Sequence, residues 1–376
     1  MPASAEPAPI VRRLGERVAR HGPLAFSGVV DLALYEPEHG FYTAGGSAGR
    51  RGDFLTSPEV GPLFGAVLAR ALDEWWDQLG RPSPFVVVEA GAGVGTLAVA
   101  VLAARPRCAP ALRYVLVERS AALRARQGQH LPLAHPATAL GGSGHDDGPV
   151  VTSLGELPTG PLTGVVLANE LLDNLAFDLV LRTGDGWSER RVTVDDDGIP
   201  RWVDVPADDA TAALAARLAP DAEVGAQIPI QRQAAGWVRD AVARLERGRL
   251  VVIDYATPRT RDLAARPIDE WLRTYRGHDR AGDPLAALGE ADITVEVCVD
   301  QLDAAAGTAT ERHDQATFLR RWGIDDLVEA GRTEWTERAA VADLAALRAR
   351  SRVREAEALL DPTGLGGFTV LEWVRP

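Results

Sequence analysis

The sequence predicts an α/β protein built on a doubly wound, mostly parallel sheet, and three observations carry that prediction. Phe85-Val-Val-Val-Glu89 is a short apolar run ending in a carboxylate, as expected of a strand buried on both faces. Gly91, Gly93 and Gly95 alternate directly behind it and lead into Leu97–Ala104, an apolar helical run that Pro106 helps to end. From Pro84 onward, short apolar runs alternate with helical patterns, with candidate strands at 85–90, 113–118, 149–152, 164–169, 249–254, 308–313 and 368–373.

The elements follow in order. After a Pro/Ala-rich start, Ile10–Ala19 places Ile10, Val11, Leu14 and Val18 on one helical face. A glycine-rich loop spans Gly40–Asp53, and Ser57-Pro58-Glu59 reads as an N-cap with proline at the first helical position of a helix running to Leu79. Trp75 and Trp76 on that helix are assigned to core packing. Between the fourth and fifth strands, Phe177–Arg182, Trp187–Val194 and Pro200–Val205 alternate apolar and polar residues around Gly-Asp-Gly and Asp-Asp-Asp-Gly turns, the pattern of a β-meander. Residues 257–303 form a second irregular excursion, of the kind that often holds function.

Composition narrows the function classes. A chain of 376 residues with formal net charge −13 does not suit a general binder of nucleic acid or anionic membrane, and favours a cationic partner. It contains no lysine, so arginine carries the positive charge, a compositional bias from which no partner is inferred. Cys108 and Cys298 lie far apart without a Cys-x-x-Cys spacing, so neither a disulfide framework nor a metal site is expected. The N-terminus lacks the basic start and apolar core of a signal peptide, and no run is long enough to span a membrane. A soluble, cytoplasmic protein is therefore expected.

The glycine loop indicates a cofactor. Glycines permit positive φ and close approach of a ligand to the backbone, and the free N–H groups of the following helix favour an electronegative ligand atom. The same glycines would also serve a tight strand-to-helix turn. A dinucleotide fingerprint, Gly-x-Gly-x-x-Gly, would need glycine at position 96, where Thr96 stands. The acidic-x-Gly-x-Gly-x-Gly pattern from Glu89 instead resembles the first motif of class I S-adenosylmethionine (SAM) methyltransferases. Glu118, at the end of the second strand, offers a carboxylate to a ribose diol. Glu118 would suit NAD equally, so the glycine spacing separates the two cofactors and makes an NAD dehydrogenase the less favoured reading.

Further strings extend the resemblance. Gly22-Pro-Leu-Ala-Phe26, Ala33-Leu-Tyr-Glu-Pro37 and Gly40-Phe-Tyr42 are followed by Gly52-Asp53-Phe54-Leu-Thr56-Ser57-Pro58-Glu59-Val60 with Phe64-Gly65. Val117-Glu118-x-Ser120, Ala168-Asn169-Glu170-Leu-Leu-Asp173, Val252-Ile-Asp254-Tyr255, Tyr275-Arg276-Gly277-His278 and Asp292-Ile293-Thr294 come next. Together they resemble the MidA-like SAM-dependent methyltransferases, from about Ile10 to the C-terminus. That family has a mitochondrial protein-arginine methyltransferase that serves respiratory complex I assembly. The chain departs from the family in reading Gly91-Ala92-Gly93 for Gly-Pro-Gly, Ala176 for a proline, and Glu296-Val297-Cys298-Val299 for His-Val-Asp-Phe.

The resemblance implies a Rossmann-like class I SAM-dependent methyltransferase fold with a seven-stranded, mostly parallel sheet. Residues 1–80 would be an N-terminal helical lid, and 81–376 the SAM-binding domain, with insertions at about 176–235 (the meander) and 257–303. It implies that Gly52, Asp53, Phe54, Thr56, Ser57 and Pro58 fold over the cofactor, with SAM as donor and S-adenosyl-L-homocysteine as product. Glu89, Gly91, Gly93, Gly95, Thr96, Glu118 and Asn169 complete the expected cofactor site. A protein substrate with an accessible arginine is the expected acceptor, and a homodimer is allowed.

Methyl transfer is largely alignment, and a guanidinium nucleophile needs carboxylates to orient it and take its proton. Asn169 is assigned to the methyl-transfer pocket, and Glu170 and Asp173 to substrate orientation; an N-cap with first-turn carboxylates would use the same residues. His278 is a further catalytic candidate or a surface residue, and Asp254 and Tyr255 line the acceptor side or finish the core. Two other functions stay open: an assembly or binding factor with little turnover, suggested by the altered 296–299 stretch, and a small-molecule methyltransferase.

Overall fold

The computed structural model describes residues 8–44, 56–141, 148–276, 279–280, 282–338 and 343–376. A seven-stranded sheet forms its centre, made of β1 (Phe85–Ala90), β2 (Leu112–Val117), β3 (Val150–Leu154), β4 (Leu162–Asn169), β5 (Leu245–Asp254), β6 (Glu311–Asp314) and β7 (Thr369–Arg375). The strand order is β6-β7-β5-β4-β1-β2-β3. Pairings from β3 through β5 are parallel, whereas β7 runs antiparallel to both β5 and β6, so the sheet is mixed.

Helices cover both faces, which is why the central strands are apolar along their length. Pro62–Gln78 and Thr96–Ala103 pack one face around Phe64, Trp75 and Leu97; Arg232–Arg244 and Val299–Ala306 pack the other around Val88, Val166 and Leu250. Trp75 is buried and meets Trp322 edge-on at 5.4 Å, as a core residue should. Gly65 lets the helices at 62–78 and 96–103 touch: a Cβ there would lie 2.4 Å from the Cβ of Ala100.

The helix expected from Ser57 to Leu79 is two helices, Ser57–Val60 and Pro62–Gln78, divided at Gly61. Buried Glu355 causes the second start to be so well defined, since its Oε2 accepts from the Leu63 N–H at 2.9 Å and fills the space a side chain at Gly61 would need. Ser57 is not the N-cap. Thr56 holds that position, and the Ser57 hydroxyl donates to Gln315 at 3.0 Å.

The expected meander is present as Asp178–Thr183, Gly186–Val194 and Pro200–Pro206, all antiparallel. Gln227–Ile230 joins one side, and Leu24–Ala25 from the N-terminal region pairs with residues 191–192. Helices Pro9–His21 and Phe26–Tyr35 bury Leu14, Phe26 and Val30 against this sheet and the strand Asp292–Val295. The Tyr35 hydroxyl at the end of the second helix lies 3.5 Å from the Asn174 carbonyl, so this region also touches the turn that follows β4.

Candidate functional site

The order of the sheet reverses between β1 and β4, and ligands bind open α/β sheets in the crevice at that point. A cavity of about 670 Å³ opens there, in the usual size range of ligand pockets. Its floor is the turn after β1. Gly91, Gly93 and Gly95 take φ of 70°, 52° and 90°, so all three use the left-handed region where other residues are strained. A Cβ on Gly93 would meet no atom of the described residues within 4 Å, and Gly93 lines the cavity. Gly91 and Thr96 also line it, while Gly95 is buried as the N-cap of the next helix.

Two carboxylates flank this turn. Glu89 is buried beneath it, accepting from the Tyr114 hydroxyl at 2.7 Å and from the Ala98 backbone N–H, and burial pushes its carboxyl up to about 8. Glu118 follows β2, accepting from Gly93 N–H at 3.0 Å and Ser120 N–H at 2.7 Å. Burial raises the Glu118 pKa, against the opposing pull of those N–H groups.

The facing wall comes from the end of β4. Asn169 donates from Nδ2 to Glu170 Oε1 at 3.0 Å, while its Oδ1 is shielded from solvent and has no hydrogen-bond partner among the described residues. It caps no helix, since the following turn Leu172–Asn174 has no side-chain cap. Glu170 holds φ +52°, its N–H donates to Ile253 O at 2.8 Å, and its Oε1 also accepts from Ser57 N–H at 3.0 Å. Such backbone strain costs about 1–3 kcal/mol and concentrates at functional sites. Desolvation, then the Asp173 charge, pushes the Glu170 carboxyl up to about 8. Both residues line the cavity.

Asp173 is placed differently. It is buried behind the wall, does not line the cavity, and accepts from the Tyr255 hydroxyl at 2.7 Å, with its pKa raised to about 6 by burial. Asp254 sits beside it, accepting from the N–H groups of Leu172 and Tyr255, at 3.0 and 2.9 Å. Burial, then the Asp173 charge, raises Asp254 well above the carboxylate range.

Of the segment expected over the cofactor, Thr56 and Pro58 line the cavity, while Ser57 is buried and reaches the site through its backbone N–H. Thr96 is tied to that segment, its hydroxyl donating to Glu59 at 2.8 Å. Gly52, Asp53, Phe54 and His278 lie outside the described residues. The altered stretch at 296–299 does not face the cavity: Val297, Cys298 and Val299 are core residues, and Glu296 pairs with Arg266 at 3.0 Å. Sequence reasoning missed Tyr35, Tyr42, Asn174 and Trp237, which also line the cavity. Tyr35 and Tyr42 stand inside the strings Ala33–Pro37 and Gly40–Tyr42 that carry the family resemblance; Asn174 carried no signal beyond its nearness to Glu170.

Residues 67–316 match the model of a family described as "Putative S-adenosyl-L-methionine-dependent methyltransferase". A crystal structure of a Burkholderia thailandensis protein bound to S-adenosyl-homocysteine is 30% identical, with TM-score 0.79 over 99% of this chain and 95% of that one. The mouse protein named "Protein arginine methyltransferase NDUFAF7, mitochondrial" is 29% identical, over 84% of this chain and 74% of its own. Its human counterpart is 28% identical, over 86% and 75%. The cytoplasmic expectation is overturned by these relatives, which are named as mitochondrial proteins. The glycine cradle, the β4 wall and the matched sequence agree: this chain belongs to the family of S-adenosyl-L-methionine-dependent methyltransferases, in its MidA-like branch.

Proposed function

We propose that the methyl acceptor of this SAM-dependent enzyme is an arginine side chain of a protein substrate. One observation carries the reading: the Asn169 Oδ1, without a partner among the described residues, and the Glu170 carboxylate sit on one wall of the cavity that holds the glycine loop. A guanidinium offers five N–H donors and a positive charge to such a wall. The relatives named as protein arginine methyltransferases support the same acceptor.

In this reading Gly91, Gly93, Gly95 and Thr96 shape the cofactor cradle, and Glu118 takes the ribose diol. Glu89 braces the loop from below, and Thr56, Ser57 and Pro58 close the far side. Residues 1–80 act as a helical lid on a domain spanning 81–376, with insertions at about 176–235 and 257–303. When bound, SAM supplies a methyl group activated by a sulfonium. Asn169 Oδ1 accepts an N–H and fixes the guanidinium plane, and Glu170 grips a second nitrogen. As the attacking nitrogen gains the methyl group it loses a proton, which the Glu170 carboxylate takes, and the guanidinium keeps its single charge. Glu170 must start ionised, so activity should rise with pH through about 8, where burial has placed its pKa. Asp173 acts from behind, through Tyr255 and the charge it places beside Glu170.

Incubation with methyl-labelled SAM and a protein extract tests this. Label should enter protein, be recovered as methylarginine, and vanish with Glu170→Ala. Label found only in small molecules would transfer the reading to a metabolite methyltransferase. No label in any fraction would indicate an assembly factor.

A further inference from the structure

Asp292 lies outside the cavity yet is bonded to its wall. It is fully buried on the strand Asp292–Val295, and its Oδ1 accepts from Asn174 Nδ2 at 3.0 Å and from the Tyr42 hydroxyl at 3.2 Å. The same hydroxyl lies 3.0 Å from Asn174 Oδ1, so Tyr42, Asn174 and Asp292 close a three-membered hydrogen-bond cluster. Tyr42 and Asn174 both line the cavity, and the Tyr42 ring stacks on Tyr35 at 5.6 Å.

The other end of Tyr42 reaches the cofactor side. Its carbonyl accepts from the Ser120 hydroxyl at 3.1 Å, the Ser120 N–H donates to Glu118 Oε1, and Glu118 Oε2 holds the Gly93 N–H. A continuous path of hydrogen bonds and one short stretch of backbone thus joins Asp292, beside the acceptor wall, to the glycine cradle. Asp292 does not touch the cavity. Its contacts with the cavity wall are Tyr42 and Asn174, and of these Tyr42 is the one whose carbonyl continues toward Ser120 and Glu118.

We propose that Asp292, Asn174 and Tyr42 form a positioning device that sets the Glu118 carboxylate for the cofactor and ties it to the acceptor wall. The proposal rests on the cavity being the SAM site. A side chain whose only duty is packing would affect stability; this one sets the orientation of a tyrosine whose backbone carries Ser120 and, through it, Glu118. Asp292 and Tyr42 therefore act on cofactor affinity as one unit.

Calorimetric titration of the full chain with S-adenosylhomocysteine tests it, with far-UV circular dichroism as the check of folding. Asp292→Ala and Tyr42→Phe should each weaken binding about fivefold or more, the lower end of typical couplings between sites. Asp292→Asn retains an acceptor for the Tyr42 hydroxyl and should recover most of the loss. The Asp292→Ala/Tyr42→Phe double variant should bind no worse than the weaker single one, because both cut the same path. Wild-type affinity in the folded single variants, or losses that multiply in the double one, would overturn the proposal. Should Asp292→Ala not fold, Tyr42→Phe decides alone. Failure of the wild-type protein to bind would instead refute the assignment of the cavity to SAM.

Discussion

Replacing Glu89 by glutamine should make the protein more stable at high pH and leave it nearly unchanged at low pH. Glu89 is 5% exposed, and burial moves its carboxyl from 4.5 to about 8. The folded state therefore holds this proton more tightly than the unfolded chain does. Below pH 4.5 both states are protonated and the shift has no effect. As pH rises the unfolded chain ionises first, and folded stability falls by about 1.4 kcal/mol per pH unit until the folded-state pKa is passed. Across that window the loss is on the order of 5 kcal/mol. Glutamine removes the titration while keeping an acceptor for the Tyr114 hydroxyl and the Ala98 N–H. Glu170 and Asp292, whose carboxyls are also pushed up to about 8, are present in both proteins and largely cancel in the difference. Urea unfolding from pH 5 to pH 9, extrapolated to water, gives that difference directly. A gap between wild type and Glu89→Gln that does not change with pH would refute the assignment of a buried, proton-holding carboxyl.

Two glycines should separate binding from folding. Gly93→Ala adds a methyl where no atom of the described residues lies within 4 Å, at a φ of 52° that costs roughly 1–2 kcal/mol. The chain should still fold but lose about tenfold or more in cofactor affinity, consistent with a steric cost above ~1.4 kcal/mol; unchanged affinity by calorimetry would count against the cradle. Gly65→Ala forces a Cβ to within 2.4 Å of the Ala100 Cβ and 2.9 Å of backbone atoms that cannot yield. Overpacking of about 1–3 kcal/mol should outweigh the ~1 kcal/mol gain in helix propensity. A variant as stable as wild type in urea would show that the two helices do not meet so closely.

Much of the fold was legible because it rests on local rules. Apolar runs marked β1, β2, β4 and β5 to within a residue or two at most ends, since strands buried on both faces can be little else. The meander declared itself by alternation between glycine-bearing turns. Less was legible where partners come from far along the chain. Gly61-Pro62 is a local break signal, but the Glu355 carboxylate that accepts from the Leu63 N–H comes from 292 residues further along, where no local pattern points to it. Ser57 looked like a cap by type and position, but the Glu170 carboxylate and Gln315 compete for its backbone and side chain.

The site divides in the same way. In sequence, the glycine spacing favoured SAM over NAD through its resemblance to the first motif of class I methyltransferases, while the structure put Gly91 and Gly93 on the cavity and buried Gly95. The sequence also placed Asn169 and Glu170, since the end of a parallel strand must open on the ligand edge. Only the tertiary structure decided which acids share the pocket and which stand behind it. Asp173, Asp254 and Asp292 have ordinary carboxylates in sequence; folding buries them together, with Tyr42 and Tyr255 as donors, and raises their pKa values. Desolvation and like-charge proximity are properties of three-dimensional neighbourhoods, assembled here from segments up to 250 residues apart, and no spacing along the chain encodes them.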